Sequence, residues 1–254
     1  MNNEFDDGLL ELKTEFEGIV YRNIATIYHS QNLFDDLNDC DEEGILQKYE
    51  NATSGISHTS QQKNRAFEYA QPHPSCISGV FNPPFRYGRY GDGNGYGVWY
   101  AALDEKTSIY EALFHQWYQA KKLFQLNKNL KTISVERKMY ACNLKSQYVL
   151  DFREKLDLYD SLTSDNYIFC NKLGSKVKDL GAEMLLVPSA RNLGGVCSPV
   201  FLPEIIKNEK AIYYLKFNFY SNGKSEIERI SNEKEVFDIP THWKKYLKEK
   251  PTVY

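Results

Sequence analysis

Arg22 is the first residue of the sequence whose type and setting suggest chemistry. It lies in the apolar run of residues 18–24, where burying a guanidinium without a partner would be costly. Such a side chain suits a phosphate, because its planar fork donates two parallel hydrogen bonds. The run also predicts a strand, whose alternation can point Arg22 to solvent. Both interpretations, an anion-binding arginine and a solvated one, follow from this segment.

Tyr100 and Glu111 form a second candidate pair, eleven positions apart across a predicted strand-to-helix junction. The tyrosine ring could stack on a flat aromatic or cationic ring. The carboxylate could stabilise the sugar cation that develops while a glycosidic bond breaks. A purely structural interpretation competes, because residues 108–111 match the S-x-x-E capping box of a helix start.

Ser189 follows the apolar residues 183–187 and a proline, at the predicted end of a strand. Its hydroxyl could bond the phosphate or ribose of a ligand, or it could cap the turn that continues through residues 192–195. The setting is not the G-x-S-x-G elbow of a serine nucleophile, so we do not expect nucleophilic catalysis by this serine.

Residues 81–97 read FNPPFRYGRYGDGNGYG, and the prolines and alternating glycines exclude a regular helix or a central strand. The glycines precede a predicted strand, whereas a dinucleotide-binding fingerprint opens a helix. The RYGRYG sequence could contact nucleic acid, but the pI near 6.0 and the lack of a wider basic tract argue against a nucleic-acid partner. We interpret this glycine-rich segment as a ligand-closing loop or an extended turn.

The elements that must position these residues alternate irregularly along the chain. Apolar runs and helical periodicity predict strands at 18–24, 98–103, 131–141, 148–151, 183–187 and 211–220, and helices at 4–15, 104–120 and 165–180. Because the order is not a regular βαβ repeat, the sequence predicts an α+β fold, a single mixed-sheet domain with flanking helices.

The distribution of charge and the predicted helices and strands together divide the chain into three segments. Residues 1–50 carry a net charge of −10 and the remainder +7, which is compatible with an anionic ligand in the body or with a solvated acidic face. We predict an acidic helical segment at 1–17, a catalytic region at 18–203, and a C-terminal strand and tail at 204–254 packed on the same domain.

The composition also excludes several classes of protein. No apolar stretch approaches the roughly 18 residues of a membrane-spanning helix, and the acidic amino terminus lacks the pattern of a secretory signal. We therefore expect a cytoplasmic protein with no membrane partner, or an effector that is delivered into a target cell's cytosol. The five cysteines are scattered and odd in number, so we expect buried thiols and no metal site.

Taken in chain order, these segments resemble the RES-domain family. Its members have a Y-R strand near the start, a G-R-W-N-type segment, a Y-x-A strand with a glutamate beyond it, and a late P-S turn. The corresponding positions are Tyr21-Arg22, Gly79-Val80-Phe81-Asn82, Tyr100 with Glu111, and Pro188-Ser189. The resemblance spans residues 18–203, and its weight comes from the order and spacing of short motifs.

The resemblance implies a fold related to ADP-ribosyltransferases and a pocket that holds NAD. By family analogy, Arg22 binds a phosphate and Tyr100 packs on nicotinamide or its ribose. Glu111 then supports cleavage of the nicotinamide–ribose bond, while Ser189 holds the ligand near its phosphates or ribose. Nicotinamide leaves as a neutral molecule, so a carboxylate beside the developing cation is the main catalytic need.

One position departs from the family pattern. Val80 stands where the arginine of G-R-W-N is usual. Arg86 or Arg89, in the segment that follows, could supply the missing cation. Tyr21 and Asn82 occupy motif positions and complete the expected substrate-binding set.

The resemblance therefore implies a toxin that consumes NAD by phosphorolysis or hydrolysis, paired with an Xre-type antitoxin. One alternative is an ADP-ribosyltransferase that uses the same pocket to modify a protein target. Another is a catalytically degenerate binding module that retains the fold. NAD is the expected substrate, and we expect no further cofactor and no metal.

Overall fold

The computed structural model of the protein describes residues 8–25, 77–229 and 243. Its strands are β1 (Lys13–Ala25), β2 (Trp99–Ala102), β3 (Thr132–Asp151), β4 (Met184–Pro188), β5 (Val196–Val200), β6 (Ile206–Tyr220) and β7 (Ser225–Arg229). Its α-helices are α1 (Ser78–Phe81), α2 (Glu105–Leu126), α3 (Tyr159–Thr163) and α4 (Ile168–Asp179).

The strands form one mixed sheet in the order β1-β2-β5-β4-β3-β6-β7. β3 and β4 run parallel, while the other pairs are antiparallel. β1 also pairs with β3, so the five strands β1, β2, β5, β4 and β3 close into a ring. The predicted α+β class with a single mixed sheet is confirmed.

Strand alternation gives this ring an inner and an outer face. The inner face is an apolar core that contains Val20, Trp99, Leu144, Met184 and Val200. On the outer face, the buried stripe of α2 packs against β3 and β6, and α3 and α4 cover β4. Tyr100 of β2 and Cys197 of β5 are partly buried and pack against the core that α3 and α4 cover.

The predicted helix over residues 4–15 is wrong where the structure describes it. A short 3₁₀ helix covers Leu9–Leu12, and β1 begins at Lys13, so the division at residue 17 falls inside a strand. The exposure of residues 13–19 alternates with a period of two, and β1 pairs with β3 along its length. Pairing with β3 satisfies the backbone of this segment and outweighs its weak helical pattern.

At the other end of the chain, β6 pairs with β3 and β7 pairs with β6. Residues 206–229 therefore belong to the same sheet as the predicted catalytic region. Most of the predicted tail lies outside the described residues. Within the described part of the chain, no helix is both long and apolar enough to cross a membrane.

The glycine-rich segment folds as a packed turn. The amide of Gly88 donates to the carbonyl of Gly91 at 2.7 Å, and Tyr90 is buried beneath the turn. Gly174 of α4 allows the turn to approach closely, because a Cβ at that position would lie 2.0 Å from the carbonyl oxygen of Tyr90. The side chain of Asn171 donates to the carbonyls of Gly88 and Arg89 at 2.7 and 2.9 Å.

We predict that Gly174→Ala destabilises the protein, although alanine is the better helix former. The added methyl group would overlap the Tyr90 carbonyl, and we expect the free energy of unfolding in urea to fall by about 1–3 kcal/mol. Gly79→Ala is the matched control, because nothing lies within 4 Å of its added Cβ. Equal stability of the two variants would contradict the packing of the glycine-rich segment on α4.

Candidate functional site

The start of α2 decides between the two interpretations of Glu111. Asp104 has the extended backbone of an N-cap, and its side chain accepts from the amide of Thr107 at 2.8 Å. Ser108 lies inside the helix, so the capping-box interpretation of residues 108–111 is wrong. The Glu111 side chain instead reaches the turn after β4, where Ser189 Oγ donates to its Oε1 at 2.6 Å.

Ser189 takes the turn-capping role that was one of the two interpretations of its hydroxyl. Its Oγ accepts the amide hydrogens of Arg191 and Asn192 at 3.1 and 2.9 Å, which caps the turn. The same oxygen donates its own hydrogen to Glu111. Because the two amides fix the oxygen, they also determine the direction in which the hydroxyl hydrogen points.

The turn after β4 is tied to the start of α2 by a chain of hydrogen bonds. Asn192 Nδ2 donates to Thr107 Oγ1 at 2.8 Å, and Thr107 Oγ1 donates to Asp104 Oδ2 at 2.6 Å. Gly195 permits this contact, because a Cβ there would lie 2.2 Å from Thr107 Oγ1. The residue that caps the helix therefore also fixes the loop that carries Ser189.

Cys197 is a site residue that sequence analysis missed. It lies on β5, and its Sγ donates to Glu111 Oε1 at 3.6 Å. Burial raises the pKa of the Cys197 thiol well above its usual value, and the charge of Glu111 raises it further. The thiol is therefore a neutral donor toward the carboxylate. A lone cysteine in an apolar strand gives no sequence signal for this contact.

Arg22 and Tyr100 are connected, but not through their two functional groups. Arg22 Nη1 donates to the main-chain oxygen of Tyr100 at 2.9 Å, and its guanidinium lies 5.1 Å from the centre of the Trp99 ring. Tyr100 Oη accepts the amide hydrogen of Tyr90 at 2.9 Å, and burial raises the pKa of the phenol. The bond to Tyr90 consequently holds the Tyr100 side chain on the outer face of the sheet, against the core that α3 and α4 cover.

The other predicted binding residues are spread more widely. Tyr21 pairs with Ala102 across β1 and β2 and packs beside the core under α2. Asn82 and Arg86 are exposed. Arg89 is more deeply placed: its Nη1 donates to the carbonyl oxygens of Leu162 and Ser164, and its guanidinium lies 4.6 Å from the centre of the Tyr167 ring.

Arg89 also contributes positive potential near the candidate carboxylate. Burial acts to lower the pKa of Arg89, but Tyr167, Tyr90 and Glu111 together raise it above its usual value. The structure therefore brings Arg89 within electrostatic reach of Glu111 and leaves Arg86 at the surface. The sequence could not show which of the two arginines is buried, because a turn of this kind has no regular alternation of buried and exposed positions.

Arg191 is a further residue whose burial the sequence did not reveal. Its side chain is 2% exposed, bonds Asp165 at 2.5 Å, and lies 3.4 Å from the centre of the Phe114 ring. Its carbonyl oxygen accepts from Trp243 Nε1 at 3.1 Å. Trp243 is itself fully buried against the aromatic residues of α2. These contacts anchor the loop that begins at Ser189.

The described residues contain no group of three or more histidine, cysteine or acidic side chains that could hold a metal ion. The cysteines Cys142 and Cys170 are buried, and Cys197 is partly buried.

The site combines the Glu111 carboxylate with its two neutral donors, Ser189 and Cys197. Arg89 lies within electrostatic reach of the carboxylate, and Tyr100 supplies an aromatic ring from β2, which pairs with β5. This arrangement can bind and stabilise a cationic centre beside an aromatic group.

Comparison with known proteins places part of the chain in a defined family. A family model described as RES domain matches residues 63–219, more than half of the 254-residue chain. Tyr100, Glu111 and Ser189 lie within the matched stretch, whereas Tyr21 and Arg22 precede it. No curated protein matches the chain.

Among solved structures, a similar chain occurs in the crystal structure of the M. tuberculosis MbcT–MbcA toxin–antitoxin complex. The two chains are 16% identical, with a TM-score of 0.43. The similarity covers 82% of the present chain and 93% of the other.

The contact between Cys197 and Glu111 predicts the effect of removing the carboxylate charge. Glu111→Gln removes a negative charge that disfavours the thiolate, so the pKa of Cys197 should fall. The measurement is the rate of Cys197 alkylation by iodoacetamide as a function of pH, read by peptide mass spectrometry. An unchanged or raised pKa of Cys197 in Glu111→Gln would contradict this contact.

We also predict that Trp243 stabilises the loop through its indole N–H. Trp243→Phe keeps an aromatic ring but removes the hydrogen bond to Arg191, so we expect a loss of about 1–2 kcal/mol in the free energy of unfolding. Trp243→Ala removes the buried ring as well and should cost about 3–5 kcal/mol. Urea unfolding curves measure both, and wild-type stability of the alanine variant would refute the packing of Trp243 on α2.

Proposed function

The chain belongs to the RES-domain family, and from this premise we propose that it consumes NAD by breaking the nicotinamide–ribose bond beside Glu111. The observation that carries the proposal is the Glu111 carboxylate held by Ser189 and Cys197. Both of those donors bond Oε1. Among the described residues, the second oxygen Oε2 accepts no hydrogen bond, and in this proposal it faces the ligand.

This geometry suits the charge that develops during the reaction. When the bond between the nicotinamide nitrogen and ribose C1′ breaks, the electron pair leaves with neutral nicotinamide and the ribose becomes an oxocarbenium ion. A preorganised carboxylate stabilises that cation without having to reorganise first. No proton needs to be delivered to the leaving group. An oxygen of phosphate or water then forms the new bond to C1′.

In this proposal the remaining candidates bind and orient the substrate. Tyr100 presents its ring on the outer face of β2, where it packs on nicotinamide or the adjoining ribose. Arg22 binds a phosphate of NAD, and Ser189 orients Glu111 toward the ligand. Arg89 adds positive potential near Glu111, which helps to attract an anionic substrate.

The proposed biological role is that of a toxin with a cognate antitoxin of the Xre type. This role rests on the family premise rather than on a contact within the chain. Transfer of ADP-ribose to a protein would use the same carboxylate and the same leaving group, and would differ only in the acceptor. The acceptor must therefore be determined by product analysis.

We predict that nicotinamide release from NAD depends on Glu111. The purified protein is incubated with NAD, with and without inorganic phosphate, and free nicotinamide and the ADP-ribosyl product are measured by mass spectrometry. Glu111→Gln preserves the shape of the side chain but removes its charge, and we expect at least about a 100-fold loss of rate. Glu154→Gln is the control, because it makes the same substitution at an exposed glutamate that forms no described hydrogen bond or ion pair with a site residue.

The products separate the possible acceptors. A phosphorylated ADP-ribose formed only with phosphate indicates phosphorolysis, free ADP-ribose indicates hydrolysis, and a mass increase on an added protein indicates transfer. Unchanged nicotinamide release by Glu111→Gln would refute the role of the carboxylate. Absence of release under every condition would favour a binding module that retains the fold.

A further inference from the structure

Tyr87, in the glycine-rich segment, stacks on Tyr167 at the protein surface. The centres of the two rings lie 6.2 Å apart, and their planes differ by 22°. Tyr87 is 64% exposed, so its ring offers a second face to a ligand, whereas Tyr90 of the same segment is buried. We call Tyr87 and Tyr167 the tyrosine pair. A single exposed ring is ordinary on a protein surface, so the neighbours of the pair decide what it can bind.

The backbone that carries Tyr87 is held in place by the rest of the segment and by α4. Tyr87 forms an isolated β-bridge with Asp92 across the turn. Asn171 of α4 holds the next two residues, because its side chain donates to the carbonyls of Gly88 and Arg89. An aromatic ring on a packed turn loses little conformational freedom when it binds a ligand. The tyrosine pair is therefore a preorganised surface for stacking.

Tyr167 lies in the connection between α3 and α4, which is joined to the loop that begins at Ser189. Two residues before Tyr167, the carboxylate of Asp165 bonds the guanidinium of Arg191 at 2.5 Å. Arg191 in turn lies two residues after Ser189, whose hydroxyl donates to Glu111 at 2.6 Å. A short series of contacts thus connects the tyrosine pair to the candidate carboxylate.

Arg89 is the cation that both the tyrosine pair and the carboxylate reach. Its guanidinium lies 4.6 Å from the centre of the Tyr167 ring. Burial acts to lower the pKa of Arg89, but Tyr167 and Glu111 both act to raise it, and the net shift is upward. Arg89 is therefore charged at neutral pH, and its half-buried side chain can attract a phosphate group.

The order of these groups matches the order of the groups in NAD. Outward from the scissile bond, NAD has a ribose, a pyrophosphate and an adenosine. Outward from Glu111, the protein has the carboxylate, the guanidinium of Arg89 and the exposed rings of the tyrosine pair. Adenine is flat and uncharged, and such a base stacks on aromatic side chains.

We propose that Tyr87, stacked on Tyr167, binds the adenine base of the nucleotide substrate. This inference rests on the proposed function for the identity of the substrate, and it adds an adenosine end to the pocket. The contact comes from the segment after Val80, where the chain departs from the family pattern. Tyr87 and Arg89 of the RYGRYG sequence then contact one nucleotide instead of a nucleic-acid strand.

The first experiment measures binding without turnover, with ADP-ribose as the probe and titration calorimetry as the method. Tyr87→Ala should raise the dissociation constant of ADP-ribose about tenfold, because the stacking of one base is lost. Wild-type affinity in Tyr87→Ala would overturn the assignment. Absence of ADP-ribose binding by the wild-type protein would overturn it as well.

Matched variants identify the source of the affinity. Tyr87→Phe keeps the ring and should retain most of the affinity, whereas Tyr87→Leu keeps an apolar side chain without a π face and should lose it. Tyr214→Ala is the control, because it removes an exposed tyrosine of β6 that contacts Lys138. Equal affinities of the phenylalanine and leucine variants, or an equal loss in the control, would overturn the role of stacking. Circular dichroism checks folding, and these two Tyr87 variants test the proposal if Tyr87→Ala does not fold.

The second experiment measures the turnover of NAD. Tyr87→Ala should raise the KM for NAD about tenfold, because the base no longer contributes to binding. The change in kcat should be smaller, since Tyr87 binds the end of the substrate that does not react. A loss in kcat as large as the rise in KM would indicate a distorted site at Glu111 and would overturn the assignment.

The two experiments separate failure of the adenine contact from failure of the proposed function. Binding of ADP-ribose that depends on Tyr87, in a protein that releases no nicotinamide, would support the contact and refute the reaction. Consumption of NAD with unchanged ADP-ribose affinity and unchanged KM in Tyr87→Ala would refute the contact alone.

Discussion

The long ladder between β1 and β3 is the constraint from which the rest of the structure follows. β1 is hydrogen-bonded to β3 over almost its whole length but pairs with β2 at Tyr21 and Ala102. The ring of strands therefore closes firmly on one side and parts on the other. Arg22 follows that pair and donates to the main-chain carbonyl of Tyr100, because buried main-chain acceptors need donors.

The carboxylate depends on a second constraint, the fixed start of α2. Asp104 caps that helix and at the same time holds Thr107, which binds Asn192 of the loop after β4. Glu111 and Ser189 are thus placed by the same capping residue, although 78 positions separate them in the chain. Arg191, which is buried and bonds Asp165, and Trp243, which bonds the Arg191 carbonyl, also hold this loop. The candidate chemistry is therefore built into packed elements, which favours a preorganised site.

Much of the fold was accessible from the sequence because its signals are local. The apolar stripe predicted α2, the β-branched and aromatic runs predicted β1, β2, β4 and β6, and the irregular order predicted an α+β fold with one mixed sheet. The helix predicted before residue 16 failed, because pairing with β3 draws residues from Lys13 onward into a strand and its helical pattern was weak. The residues predicted at 131–141 and 148–151 form one long strand, which only its partners on both sides could show.

The sequence by itself determined the family, through the order of short motifs, and it determined that Tyr100, Glu111 and Ser189 were candidates. Residue type and spacing are enough to identify the family and these candidates, because the chemistry requires particular side chains in a particular order along the chain. Only the tertiary structure decided that Glu111 bonds Ser189 instead of capping a helix, that Cys197 joins them, and that Arg137 bonds Asn23. Such contacts join distant parts of the chain, and strand register and packing, which no local pattern encodes, determine them.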